Sequence, residues 1–236
     1  MSKADTPDFF TGADIDFDSA YTQGQMLPDA PRVIGTGVPW DIGVVQPAVV
    51  ELERLGRFRG DVLDVGCGLG NNSCFLADRG YRVTGIDVAS AAIDEARTRA
   101  GGRDVTFAVG DASRLDGYDG RFDSVLDSML FHALDPAVRS RYAAAPHRVT
   151  RPHALLSVLT FTDALKGPLT GLGIPEAQLR ATLGDAGWTI TELTQTTFVV
   201  VAAAMLDGLR SSGITPDINE HGWTRIPVWR LQATRA

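Results

Sequence analysis

Asp61-Val62-Leu63-Asp64-Val65-Gly66-Cys67-Gly68-Leu69-Gly70 is the stretch on which the fold turns. An apolar run ends in three glycines at alternate positions. A helix-compatible segment, 71–79, follows at once. A second apolar run, 81–86, then ends in the acid Asp87. The pattern predicts a strand, a glycine turn, a helix and a second strand with a carboxylate at its tip. Glycine lets a backbone adopt positive φ and approach a ligand closely. An acid at the end of the second strand stands where a ribose diol would lie. The dinucleotide fingerprint wants a glycine or alanine three residues after the second glycine. Here Gly70 comes two after Gly68, and residue 71 is Asn. That spacing suits a nucleoside without a pyrophosphate, beside the plainer reading of an ordinary βαβ turn.

Outward from this core the alternation continues. Residues 44–56 have helical periodicity through Val45, Val49, Leu52 and Leu55. Helix 90–100 follows Asp87, with Ser90 expected as its N-cap. Strand 104–109 ends at Gly110-Asp111, and strand 122–127 follows the turn at Asp119-Gly120. Helix 136–149 opens on Pro136. Strand 154–161, helix 175–187, strand 188–198 and a last strand near 226–234 complete the series. Strands alternating with helices predict an α/β, Rossmann-like, doubly wound and mostly parallel sheet with helices on both faces. The last two strands lack a clean crossover helix between them. Residues 1–38, rich in Asp, Gly, Pro and Thr, read as an N-terminal arm or lid with a short helix near Ile15 to Tyr21. Residues 39–236 read as one domain, with 199–222 as a substrate-side insertion.

Composition narrows the function. At 236 residues the chain suits one domain with additions. Its net charge is −7 and it has no basic block, which disfavours a nucleic-acid partner. It has no run of eighteen apolar residues, hence no expected membrane span. The segment from Met1 to Asp18 holds five aspartates and one lysine, the opposite of a signal or transit peptide. The two cysteines, Cys67 and Cys74, suggest no disulfide framework, and a cytoplasmic location is expected. No metal site is expected.

Gly66-Cys67-Gly68-Leu69-Gly70 with Asp87 resembles motif I of the class I S-adenosylmethionine-dependent methyltransferases. Val109-Gly110-Asp111-Ala112 follows at the next strand end. Phe122-Asp123-Ser124-Val125-Leu126-Asp127-Ser128, followed by Met129-Leu130-Phe131-His132, resembles motif IV. Pro39-Trp40-Asp41-Ile42-Gly43, then Gln46-Pro47, is similar to an N-terminal element of small-molecule methyltransferases of the thiopurine and benzoquinone type. The resemblance covers about residues 39–198. It implies seven strands with one antiparallel, S-adenosylmethionine as cofactor and S-adenosylhomocysteine as product. It makes Asp87 the ribose acceptor and sets Asp111 and Ala112 at the adenine. Asp64, Gly66, Cys67, Gly68, Gly70, Asn71, Asn72, Val88 and Gly110 join the cofactor site. Asp127 and Ser128 would lie under the methyl donor. Trp40 and Gln46 would cover the methionine end, where an aromatic face suits a sulfonium.

His132 is the candidate general base, since its ordinary pKa lies near neutrality. Phe131, Glu220, His221 and Trp223 are expected on the substrate side. Arg151-Pro152-His153-Ala154 replaces the family's Arg-Pro-Gly-Gly turn, which puts the geometry of that turn in question. The implied reaction is methyl transfer to an O, N or S atom of a small, aromatic or heterocyclic acceptor. Other cofactor chemistry on this fold, a nicotinamide-dependent dehydrogenase and a non-catalytic binding module are the competing readings. The oligomeric state is left open.

Overall fold

The computed structural model describes residues 15–24, 38–165, 167–204, 206–211 and 215–236. Most of the expected arm, residues 1–14 and 25–37, lies outside the described residues. The strands are β1 (Asp61–Val65), β2 (Arg82–Asp87), β3 (Val105–Val109), β4 (Phe122–Ser128), β5 (Thr150–Phe161), β6 (Trp188–Val201) and β7 (Trp223–Arg235). They form one sheet in the order β3-β2-β1-β4-β5-β7-β6. Only β7 runs against its neighbours, pairing antiparallel with both β5 and β6. The strand order reverses between β1 and β4, and ligands of such sheets bind outside the carboxyl ends at that point.

The helices are α1 (Phe17–Gln23), α2 (Pro47–Arg54), α3 (Asn71–Asp78), α4 (Ser90–Ala100), α5 (Pro136–Val149), α6 (Glu176–Asp185) and α7 (Leu206–Ser211). Alternate strand residues feed two cores. Val125, Leu156 and Leu231 pack with Tyr142 of α5 and with Leu179 and Leu183 of α6. Leu126, Leu159 and Val228 pack with Val49 and Leu52 of α2 and Leu76 of α3. Truncating a buried leucine such as Leu126 to alanine would cost about 2–5 kcal/mol. Gly70 is the N-cap of α3, in the left-handed region at φ 79°. A Cβ there would stand 2.6 Å from the Phe107 ring, so glycine is needed for conformation and for space.

Several boundaries differ from the sequence reading. Ser90 is not the N-cap of α4; Ala89 is, and it has no side chain able to cap. The carboxylate of Asp18 on α1 does the capping from outside, accepting from the Ala91 amide at 3.2 Å. Strand β5 starts four residues early, at Thr150. Its entry is held by Arg151, which donates to Asp61 at 3.0 Å and to Asp123 at 2.6 Å. His153 takes the left-handed conformation, φ 64°, where the family turn has glycine. Strand β6 runs to Val201, because the loop before α2 extends the pairing, with the Val201 amide donating to Pro39 at 2.8 Å. Residues 199–201 of the expected insertion are therefore strand, and α7 lies within its remainder. Among the described residues no helix is long and apolar enough to cross a membrane.

Candidate active site

A cavity of about 460 Å³ opens at the carboxyl ends of the strands. That is within the range of small-molecule sites. One wall is the glycine turn. Gly66 and Gly68 line it with Cys67, Asn71 and Asn72. Asp87 Oδ2 accepts from the Gly68 amide at 2.8 Å, and Oδ1 accepts from the Ala89 amide at 3.0 Å. Burial pushes the Asp87 carboxyl up, and these backbone donors oppose that. A carboxylate has about four acceptor positions, so two remain for a ligand.

The next wall follows β3. Gly110, Asp111 and Ala112 line it, with Val88 beside them. Asp111 Oδ1 accepts from the Ser113 amide at 2.8 Å and from its hydroxyl at 2.7 Å. Burial raises the Asp111 pKa, but the Ser113 bonds together with the charges of Arg141 and Arg114 hold the carboxyl below its ordinary value. Arg141 of α5 donates to Ser113 Oγ at 3.1 Å and shares this wall.

Over the glycine turn lies the Pro39–Gln46 loop. Trp40 lines the cavity, and its Nε1–H donates to the Tyr21 hydroxyl at 3.0 Å. Asp41 pairs with Arg99 at 3.1 Å and accepts from Asn71 at 2.7 Å, fixing the loop to α3 and α4. The Gln46 side chain reaches the cavity, but its amide is committed to backbone: Nε2 donates to Val199 O at 2.9 Å and Oε1 accepts from Val199 N at 3.2 Å. It staples β6 to the start of α2.

The far end is apolar. Met129, Leu130, Phe161, Leu172, Phe198 and Val200 line it, with His132 among them. The His132 ring lies 4.1 Å from the Phe161 ring, centroid to centroid, and its Nδ1 is 3.4 Å from Thr160 Oγ1. Burial, then the charge of Arg139, push its pKa from 6.5 down to about 3. The imidazole is neutral throughout the ordinary pH range and a feeble proton acceptor. Ser128 Oγ is buried on this wall, with no hydrogen-bond partner among the described residues.

Six expected site residues lie elsewhere. Asp64 is buried beneath the glycine turn, accepting from Ser73 Oγ at 2.6 Å. Burial raises its pKa to about 7, against that bond and with the help of the charges of Asp87 and Asp127. Asp127 is a buttress. Its Oδ2 accepts from Tyr142 Oη at 2.6 Å, and its Oδ1 from the Leu130 and Phe131 amides at 2.9 and 3.2 Å. It shapes the loop that carries Ser128 and His132 and does not itself line the cavity. Phe131 is fully buried against Tyr142. Glu220 and His221 are exposed on the turn before β7, and Trp223 packs on Ile42, Val199 and Val201. Asp64 and Asp127 are fully buried and do not line the cavity, because motif spacing places a residue on a strand but does not tell which face it takes.

The sequence reading missed the apolar end. Phe161 is the last residue of β5, and Phe198 and Val200 alternate at the end of β6. Strand-tip position and period-2 spacing were signals for all three. Ile15, Phe17 and Tyr21 of the arm also line the cavity. Among the described residues no group of three or more His, Cys, Asp or Glu could hold a metal ion.

A methyltransferase domain family model matches residues 62–153. The 2-heptyl-1-hydroxyquinolin-4(1H)-one methyltransferase of Mycobacteroides abscessus is 34% identical over 215 residues, 88% of this chain and 93% of that one. A structure solved in work on the conversion of a disulfide bond into a thioacetal group during echinomycin biosynthesis superposes with a TM-score of 0.71. It is 32% identical and covers 84% of each chain. The 1,6-didemethyltoxoflavin-N1-methyltransferase of Burkholderia thailandensis, solved with its substrate and S-adenosylhomocysteine, shares the fold at a TM-score of 0.59 and 22% identity. That match covers 80% of this chain and 77% of that one.

Proposed function

The chain belongs to the class I S-adenosylmethionine-dependent methyltransferases that act on small molecules, and from that premise we propose that it methylates an acidic hydroxyl on a flat heteroaromatic ring. The observation that carries the proposal is the far end of the cavity: six apolar side chains around a histidine that burial keeps neutral. A planar apolar acceptor fits those walls. An acceptor that ionises by itself needs no strong base from the protein. The Mycobacteroides relative, named for an N-hydroxylated quinolone with an alkyl chain, supports this choice.

The residues present fit the cofactor. An added Cβ at Gly68, φ 51°, would stand 2.7 Å from the Tyr21 hydroxyl, so the turn is open only because glycine is there. Asp87 keeps two acceptor positions for ribose hydroxyls, and Asp111 with the Ala112 amide would meet the adenine edge. Bound there, S-adenosylmethionine supplies an electrophilic methyl group on a positively charged sulfur. The Asp127–Tyr142 pair holds the Ser128–His132 loop in place. Phe161, Leu172, Phe198 and Val200 would fix the acceptor's plane and keep water away, so that proximity and desolvation provide much of the acceleration. We further propose that residues 1–38 act as a lid on this domain and that the protein works in the cytoplasm.

The test is a matched panel: an alkyl-substituted 1-hydroxyquinolin-4(1H)-one, a simple phenol, a thiol and an amine. Turnover should favour the N-hydroxyquinolone by at least tenfold in kcat/KM. Preference for the amine or thiol would refute the acceptor class while leaving the cofactor site intact.

A further inference from the structure

A hydroxyl in the roof of the cavity has a donor proton with no acceptor among the described residues. Helix α1 docks on the domain through Ala20, fully buried, and through Asp18, whose carboxylate caps α4. This brings Tyr21 over Gly68, with its hydroxyl 2.7 Å from where a Cβ on that glycine would stand. The Tyr21 oxygen accepts the Trp40 indole N–H. Its own proton has no acceptor among the described residues. Phe17 and Tyr21 flank Trp40, each with ring centroids 6.1 Å away, so the hydroxyl is held at the cavity wall.

The ligand brings an acceptor that needs such a donor. S-adenosylmethionine carries a carboxylate at its methionine end. Among the described residues, Arg141 is the one lysine or arginine lining the cavity, and it is engaged on the adenine wall with Ser113. Arg99, behind the glycine turn, is already shared by Asp41, Glu95 and Asn71. Among the described residues, then, the donors left for the methionine carboxylate are neutral ones. We propose that the Tyr21 hydroxyl donates a hydrogen bond to the cofactor's methionine carboxylate, so that helix α1 closes on the amino-acid end of the cofactor. Burial, then the charge of Asp87, push the phenol well above its ordinary pKa, which keeps it a donor at any working pH. The proposal rests on the family's cofactor and is independent of the acceptor.

The test compares two ligands by calorimetry on the full chain. S-adenosylhomocysteine has the carboxylate; 5′-methylthioadenosine keeps adenine and ribose but lacks it. Tyr21→Phe also removes the acceptor of the Trp40 N–H, an effect common to both ligands, so the difference isolates the cofactor's amino-acid end, where the carboxylate is the group that can accept from a phenol and the ammonium cannot. Tyr21→Phe should weaken S-adenosylhomocysteine at least tenfold, in line with a bond to a charged group, and change methylthioadenosine less than threefold. Amide exchange in residues 16–24 should slow with S-adenosylhomocysteine and much less with methylthioadenosine. Equal losses for both ligands would assign the hydroxyl to the ribose or to lid packing and overturn the proposal, as would no loss for either.

Discussion

Replacing His132 by glutamine separates a reaction that needs a protein base from one that does not. The ring is buried against Phe161, and its pKa is pushed from 6.5 to about 3. At about 1.4 kcal/mol per pKa unit, protonating it in the folded chain costs on the order of 5 kcal/mol more than protonating a solvated imidazole. Drawing a proton from a phenol of pKa about 10 would then be uphill by on the order of 9 kcal/mol. A useful general base contributes about 10²–10⁴ in rate, on the order of 3–5 kcal/mol, and works best with a pKa near the operating pH. His132 is far from that condition. His132→Gln, which retains a polar atom against Thr160, should therefore lower kcat/KM less than tenfold. In wild type and variant alike, kcat/KM should rise with pH along the acceptor's own ionisation curve. The assay is the initial rate of S-adenosylhomocysteine formation between pH 5.5 and 9.5, with two hydroxylated acceptors of different acidity. A hundredfold loss, with a pH limb that stays fixed when the acceptor is changed, would refute the reasoning and restore His132 as the base.

Three further outcomes follow from the cofactor end. Asp87→Ala leaves the Gly68 and Ala89 amides without partners, at about 1–3 kcal/mol each, and removes the ribose acceptor. It should lower both the melting temperature and S-adenosylhomocysteine affinity, and unchanged affinity by calorimetry would rule out the ribose assignment. Gly68→Ala places a Cβ at φ 51° beside the Tyr21 hydroxyl; it should cost about 1–2 kcal/mol in backbone strain and displace α1, seen as lost protection from amide exchange. Asp64→Asn tests the buried carboxyl. The folded pKa, about 7, is above the ordinary 3.8, so the folded chain holds a proton that the unfolded chain has released between those values. Its contribution to stability is complete below about pH 4 and falls as pH rises toward 7. The advantage of Asp64→Asn over wild type, read from denaturation midpoints, should thus be larger at pH 8 than at pH 5; equal differences would contradict the shift.

The parts of the fold set by local chemistry were legible in the sequence. The apolar run into Gly66, Gly68 and Gly70 states β1, the turn and α3 without outside help, and Asp87 at the next strand tip is found in the cavity wall. Pro136 opens α5, and Asp135 caps it by accepting from the Ala137 amide at 2.7 Å. What depends on distant partners was not legible. Ser90 loses the capping role because Asp18, 73 residues before Ala91, supplies the acceptor. Asp127 reads as a ligand residue by spacing, yet Tyr142 turns it into the core. Glu220, His221 and Trp223 read as substrate-side because loops on the rim of such a sheet carry specificity. The long β6–β7 pairing carries that turn away from the cavity and gives its place to Phe198 and Val200.

The most direct test of the central claim follows the methyl group itself. The protein is incubated with S-adenosylmethionine labelled at the methyl carbon and with an alkyl-substituted 1-hydroxyquinolin-4(1H)-one, and the products are resolved by mass spectrometry. The account predicts one labelled methyl on the hydroxyl oxygen for each S-adenosylhomocysteine formed. Label on carbon or ring nitrogen, or cofactor binding with no labelled acceptor across the whole panel, would contradict it.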